Sequence, residues 1–78
     1  MKLLFFAQAA DWVGTKKLEI HLENPLSLEE FIKKVPELAP ILKHKKIIKV
    51  SKNQEFINFQ TEIQDSDEIA FLPPVSGG

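Results

Sequence analysis

One segment of this sequence fixes most of its architecture: Ser27-Leu28-Glu29-Glu30-Phe31-Ile32-Lys33-Lys34-Val35-Pro36. Ser27 is a good helix N-cap, Glu30 follows three residues later as in a capping box, and Leu26 and Phe31 fall at the two positions of a hydrophobic staple. Leu28, Phe31, Ile32 and Val35 keep the i, i+3, i+4, i+7 spacing of one buried stripe, and Pro36 ends the run by removing a backbone donor. This is the main helix. The segments before and after it must therefore supply the layer on which its apolar stripe packs.

Those segments are patterned as strands. Lys2 to Ala7 is an apolar run with two aromatic residues, which predicts a strand covered on both faces and central in a sheet. Gly14 breaks the next stretch. From Thr15 to Leu22 the residues Leu18, Ile20 and Leu22 alternate with Lys17, Glu19 and His21, so this strand is half-buried and forms a hairpin-like pair with the first. Asn24-Pro25 closes it. After the helix, Leu38, Ile41 and Leu42, punctuated by Pro36 and Pro40, form an irregular or single-turn segment that still feeds the core. Ile47 to Val50 and Phe56 to Phe59 are short strand candidates that pair across the polar stretch Ser51-Lys52-Asn53-Gln54. The last strand, Asp67 to Leu72, follows an acidic turn and sets Ile69 and Phe71 on one face, Ala70 and Leu72 on the other. Pro73 and Pro74 cannot continue a ladder and hold φ near −65°, so the chain leaves the sheet as a stiff extended stem. The expected fold is α+β, a mixed sheet packed on one main helix, in the element order of a ubiquitin-like β-grasp. Residues 1–78 form a single domain, with 73–78 as a protruding tail.

Composition removes several functions. A chain of 78 residues supports one small core and no more. Its formal net charge of −1 offers no field for nucleic acid or an anionic membrane, and no aromatic residues interleave with basic ones as base-stacking platforms. The apolar runs are far too short to span a bilayer. Met1-Lys2 leads straight into strand-like sequence with no small-residue cleavage site, so no secretory signal is read and the cytoplasm is the expected location. With no cysteine, any sulfur chemistry must use another atom.

Attention therefore falls on Val75-Ser76-Gly77-Gly78, beyond the Pro-Pro stem. Glycine lets a backbone enter a channel too narrow for a Cβ, which is what delivering a carboxylate into another protein's active site requires. Two glycines alone are equally compatible with a frayed terminus, but a stem that sets the exit direction has no purpose in one. A carboxylate is a poor electrophile and needs activation as an acyl phosphate or acyl adenylate. The chain has no phosphate-cradling Gly-rich loop with Lys and Ser/Thr, so no nucleotide is expected to bind here, and a separate ATP-using enzyme is implied. The activated Gly78 could then meet a sulfur donor, giving a thiocarboxylate, or an amine, giving an isopeptide bond.

Leu4-Phe5-Phe6-Ala7-Gln8 followed by Gly14-Thr15, together with Asp67-Glu68-Ile69-Ala70-Phe71-Leu72-Pro73-Pro74-Val75-Ser76-Gly77-Gly78, resembles the small, sulfur-carrier subunits of molybdopterin synthases. The resemblance covers the whole chain in length and element order, with its specific motifs at the two ends. It implies that an adenylyltransferase of the ubiquitin-activating kind adenylates Gly78, that a sulfurtransferase system makes the thiocarboxylate, and that the tail enters a large synthase subunit to give sulfur to cyclic pyranopterin monophosphate. It implies a heterotetramer in which this chain is the non-catalytic member, docking both partners through exposed apolar residues matching Phe6, Phe56 and Leu72. Three positions depart from the family pattern: Ala10 where arginine is common, Lys52 where an apolar residue is common, and Ser66 where glycine is common. A ubiquitin-like modifier, or a carrier for thiazole synthesis or tRNA thiolation, is the alternative.

Of the remaining features, His44 in Lys43-His44-Lys45-Lys46 is expected in a solvated loop, since like charges repel a metal. His21 falls on a polar strand face. Asp65, Asp67 and Glu68 are expected as ordinary turn residues, and Trp12 either caps the core or widens a partner surface.

Overall fold

The computed structural model describes residues 1–74 of the chain. The expectations for Val75, Ser76, Gly77 and Gly78 fall outside the described residues.

β1 (Lys2–Phe5) is followed by α1 (Gln8–Val13), β2 (Lys17–Glu19), β3 (Leu26–Ser27) and α2 (Leu28–Lys33). A 3-10 turn (Pro36–Leu38), α3 (Ala39–Lys43), β4 (Lys49–Lys52), β5 (Glu55–Ile57), β6 (Glu62–Ile63) and β7 (Glu68–Leu72) complete the order. Five strands form one mixed sheet of order β2-β1-β7-β4-β5. β7 is at its centre, parallel to β1 and antiparallel to β4, while β1–β2 and β4–β5 are antiparallel. β3 and β6 make a second, two-stranded sheet.

The core follows from alternation. Leu3 pairs with Ile69, and Phe5 pairs with Phe71, which pairs in turn with Val50; all five side chains are buried. Phe5 and Phe71 stack with ring centroids 5.3 Å apart. Leu28, Phe31 and Ile32 of α2 close over them with Leu38 and Ile41. Helix α2 starts as its sequence requires: the Glu30 N–H donates to Ser27 Oγ at 3.1 Å, a cap worth about 1 kcal/mol. The reciprocal arm differs from the usual box, because Ser27 Oγ–H donates to Glu30 Oε1 at 3.1 Å while Ser27 also ends β3 opposite Glu62.

The structure adds three elements to the sequence reading. Helix α1 occupies the stretch before Gly14, and Gly14 ends it at φ 93 with its N–H on Ala10 O at 2.8 Å. It has no side-chain cap and only six residues, so it depends on the turn before it. In that turn Ala7 holds φ 49, ψ −129 and the Ala9 N–H donates to Phe6 O at 2.9 Å. This is a type II′ geometry that glycine adopts most readily. The β3–β6 pair was likewise unread. Finally, β4 runs on through Ser51 and Lys52, so the polar turn shrinks to Asn53 and Gln54, both at positive φ, the geometry of a two-residue hairpin loop.

The acidic turn is a joint. Asp67 is 4% exposed; its Oδ1 accepts from Asn53 Nδ2 at 2.9 Å and its Oδ2 from the Gln64 N–H at 2.8 Å. Asn53 Oδ1 accepts from the Glu68 N–H at 2.9 Å, so one asparagine ties the β4–β5 turn to the start of β7. Asp65 accepts from the Leu22 N–H at 2.7 Å. That backbone bond, followed by the Met1 ammonium and His21, outweighs desolvation and holds its carboxyl below the ordinary range. Glu29 is held low chiefly by its hydrogen bond from Lys45, with Lys33 adding to it. A carboxyl lowered in the folded state contributes stability above its unfolded pKa and loses it as pH falls through the folded one. The thermal midpoint should therefore drop on acidification from about pH 6 to about pH 3, less steeply in Asp65→Asn; equal slopes for parent and variant would refute that role.

His44 lies in the turn that follows α3, as expected, but it is not solvated. Its ring is half-buried and stacks on Trp12, centroids 3.8 Å apart and 7° between planes, with Nδ1 at 2.9 Å from Pro40 O. The flanking lysines turn outward, and the imidazole closes α1 onto α3. Trp12 packs against the core, which settles its role there.

Candidate functional site

The sheet has a face turned away from α2, and strand register says what lies on it. One row runs Lys17–Leu4–Ala70–Ser51–Phe56 across all five strands, because Lys17 pairs with Leu4, Leu4 with Ala70, Ala70 with Ser51 and Ser51 with Phe56. A second row brings Leu72 opposite Lys49. Phe6 extends it on the β1 side: it lies one residue beyond β1, yet its N–H donates to Phe71 O at 3.1 Å and prolongs the ladder.

Of the three apolar residues named from the sequence, Phe56 is 72% and Phe6 47% exposed, and Leu72 is partly exposed. Phe6 and Leu72 are neighbours. Phe56 is two strands from Leu72, about 10 Å at the usual strand spacing, with Lys49 between them; the Lys49 ammonium is 5.6 Å from the Phe56 ring centroid. Alternation along the first and last strands already puts Leu4 on the face of Phe6 and Ala70 on the face of Leu72, as the register confirms, whereas Ser51, the third member of this floor, was hidden by ending β4 too early.

Large apolar side chains left exposed on a sheet face around small ones mark a candidate interaction surface. The surface leads directly to the tail: β7 ends at Leu72, and Pro73 follows without a ladder bond. The strand ends where the sequence reading ends it, with Pro73 buried and Pro74 exposed. Among the described residues no group of three or more His, Asp or Glu side chains is placed to hold a metal, and no helix is long and apolar enough to cross a membrane. The cationic side chains beside the face include Lys17, Lys49 and Lys2, the last paired with Glu68, and Lys16 and Asp11 line a recess next to Phe6.

A mixed sheet clasping one main helix, with a partly apolar outer face beside the exit of the last strand, defines a ubiquitin-like β-grasp domain. The chain belongs to the ThiS family, whose model matches residues 3–78. It is similar to the molybdopterin synthase sulfur carrier subunit of Escherichia coli, at 33% identity covering 100% of this chain and 99% of that one. The protein of the same description from Caenorhabditis elegans is 35% identical over 100% of this chain and 96% of its own. Among solved structures, SAMP1 from Haloferax volcanii superposes with a TM-score of 0.79 at 23% identity, covering 100% of this chain and 98% of that one. A complex of subunits 1 and 2 of molybdopterin-converting factor from Helicobacter pylori contains a chain matching with a TM-score of 0.61 at 24% identity, over 99% of this chain and 96% of that one.

Proposed function

We propose that this chain is the sulfur-carrier subunit of a molybdopterin synthase, with Gly78 as the reacting residue and the outer sheet face as the surface that presents it. The observation that carries this reading is the joining of two features. A tail of the sequence Pro-Pro-Val-Ser-Gly-Gly follows the central strand, and Phe6 is exposed and Leu72 partly exposed at the point where that strand ends. Relatives covering the full chain carry the sulfur-carrier name, and the Helicobacter pylori complex supports a second, larger subunit as the partner.

The chemistry is confined to one carboxylate. A partner adenylyltransferase activates it: a Gly78 oxygen attacks the α-phosphorus of ATP and pyrophosphate leaves. A sulfide-equivalent donor supplied by a sulfurtransferase then displaces AMP, leaving a thiocarboxylate. In the synthase, the sulfur bonds to a carbon of the cyclic pyranopterin substrate as a C–O bond there breaks and its oxygen leaves with the electron pair. Water then cleaves the resulting thioester, so that the sulfur stays on the substrate and Gly78 returns as a carboxylate. The chain contributes position and an unbranched end, and the partners supply every acid, base and phosphate contact. The absence of cysteine means no internal thiol competes for the activated acyl group. Phe6, Phe56 and Leu72 dock the partners, and the large synthase subunit and this chain form a heterotetramer.

Incubation with the activating enzyme, ATP and a sulfur donor should raise the intact mass by the difference between one sulfur and one oxygen, located on Gly78. An unchanged mass under conditions that load a related carrier would sink the proposal. The likeness to SAMP1 favours, as a second reading, a modifier joined to other proteins; lysine side chains bearing the Gly78 acyl group would support it.

A further inference from the structure

The sheet is electrically polarised along its strands. At the end where β7 begins, Glu19, Asp65, Asp67, Glu68 and Glu55 outnumber Lys2, Lys52 and the Met1 ammonium, with Lys2 3.7 Å from Glu68 and Met1 3.4 Å from Asp65. Further along the strands, Lys17 on β2, level with Ala70, and Lys49 on β4, level with Leu72, flank Leu4, Phe6 and Leu72. Both lysines are exposed, and among the described residues neither is within 4.0 Å of a carboxylate. Resting on the reading above, we propose that Lys17 and Lys49 are rim contacts of the docking surface, seating on carboxylates of the large subunit around the opening that receives the tail.

The spacing chooses a protein rim over a single bound phosphate. Lys17 and Lys49 stand on strands three spacings apart, about 14 Å, with the apolar root of the tail between them. The Lys49 ammonium lies over the Phe56 ring, on the side away from Lys17. Two cations that diverge around an apolar centre match an interface whose core is apolar and whose rim is charged. Rim charges of this kind speed encounter and set register, and their contribution fades with salt. Asp11, beside Lys16 and Lys17 in the recess next to Phe6, is the acidic group on this flank.

The test is calorimetric titration of the chain into its cognate large subunit in about 50 mM and about 300 mM NaCl. Lys17→Gln/Lys49→Gln should weaken binding about 3- to 20-fold at low salt, and the gap should narrow at high salt. Lys34→Gln, beyond α2 on the other side of the sheet, should bind as the parent does. Thermal midpoints of all three should agree. Parent-like binding by the double variant at low salt overturns the proposal. A chain lacking residues 75–78 should keep the same lysine dependence; its loss there would mean that the lysines serve the chain's own tail, which also overturns it. Failure of the parent to bind at either salt would overturn the sulfur-carrier reading itself.

Discussion

Deleting Gly78 should abolish sulfur loading and synthase activity while leaving the thermal midpoint where it was. Among the described residues the core runs from Leu3 to Phe71 and β7 ends at Leu72, and a glycine brings no side chain to add to it. Everything proposed for it is chemical: without it the carboxylate moves one residue back, onto Gly77, and is displaced by about 3.5 Å. Misplacements of about 1 Å already cost about 100-fold in rate, so activity should fall to background. Gly78→Ala is the finer probe, because it keeps the carboxylate at full reach and adds only a Cβ. Loading should then drop about 100-fold or more with the fold intact, monitored by intact mass and by product formation. A deletion variant that still delivers sulfur would mean that Gly78 is not the carrier.

Phe71→Ala should have the largest effect on the fold itself. Phe71 is fully buried on the central strand, stacks on Phe5, and pairs in register with Phe5 on one side and Val50 on the other. Truncating a phenylalanine in such a site costs about 3–5 kcal/mol, against a total stability of about 4–12 kcal/mol for a chain of this length. The thermal midpoint is expected to fall by about 12 °C or more, read from the cooperative loss of far-ultraviolet ellipticity. Leu72→Ala, one residue on and facing outward, should cost below about 1 kcal/mol and act on partner binding instead. Comparable destabilisation by the two would contradict the assignment of faces in β7.

The parts of this structure that were legible in the sequence are those governed by local rules. The Ser27 cap, the Leu28, Phe31 and Ile32 stripe of α2 and the alternation of Ile69 and Phe71 against Ala70 and Leu72 depend on neighbours a few residues away and stand where their spacing put them, whereas Val35 leaves the helix for extended backbone before Pro36. What was hidden depends on distant partners. Helix α1 has no cap of its own and survives because Ala7 accepts an unfavourable backbone angle and Trp12 stacks on His44. The β3–β6 pair is two residues on each side, too short for a period to show. The β4–β5 loop lacks the Asn-Gly signature because Gln54 takes the glycine position; Asn53 is held there by Asp67 from another turn. The site was half-visible for the same reason. Phe6 and Leu72 could be placed by counting residues, whereas Lys17 and Lys49 become its flanks only once the strand order is known.

That strand order also bears on how the domain comes into being. β1, synthesised well before β7, has no central neighbour until β7 arrives, and the sheet cannot close from either half alone. Pairing strands so far apart in sequence makes the closing step slow relative to local helix formation. On the ribosome, Leu3 and Phe5 must wait exposed until Ile69 and Phe71 have cleared the exit tunnel. A chain whose synthesis stops before β7 therefore remains unfolded and open to proteolysis, so that among newly made molecules only those that have reached the root of the tail acquire a surface for a partner to grip.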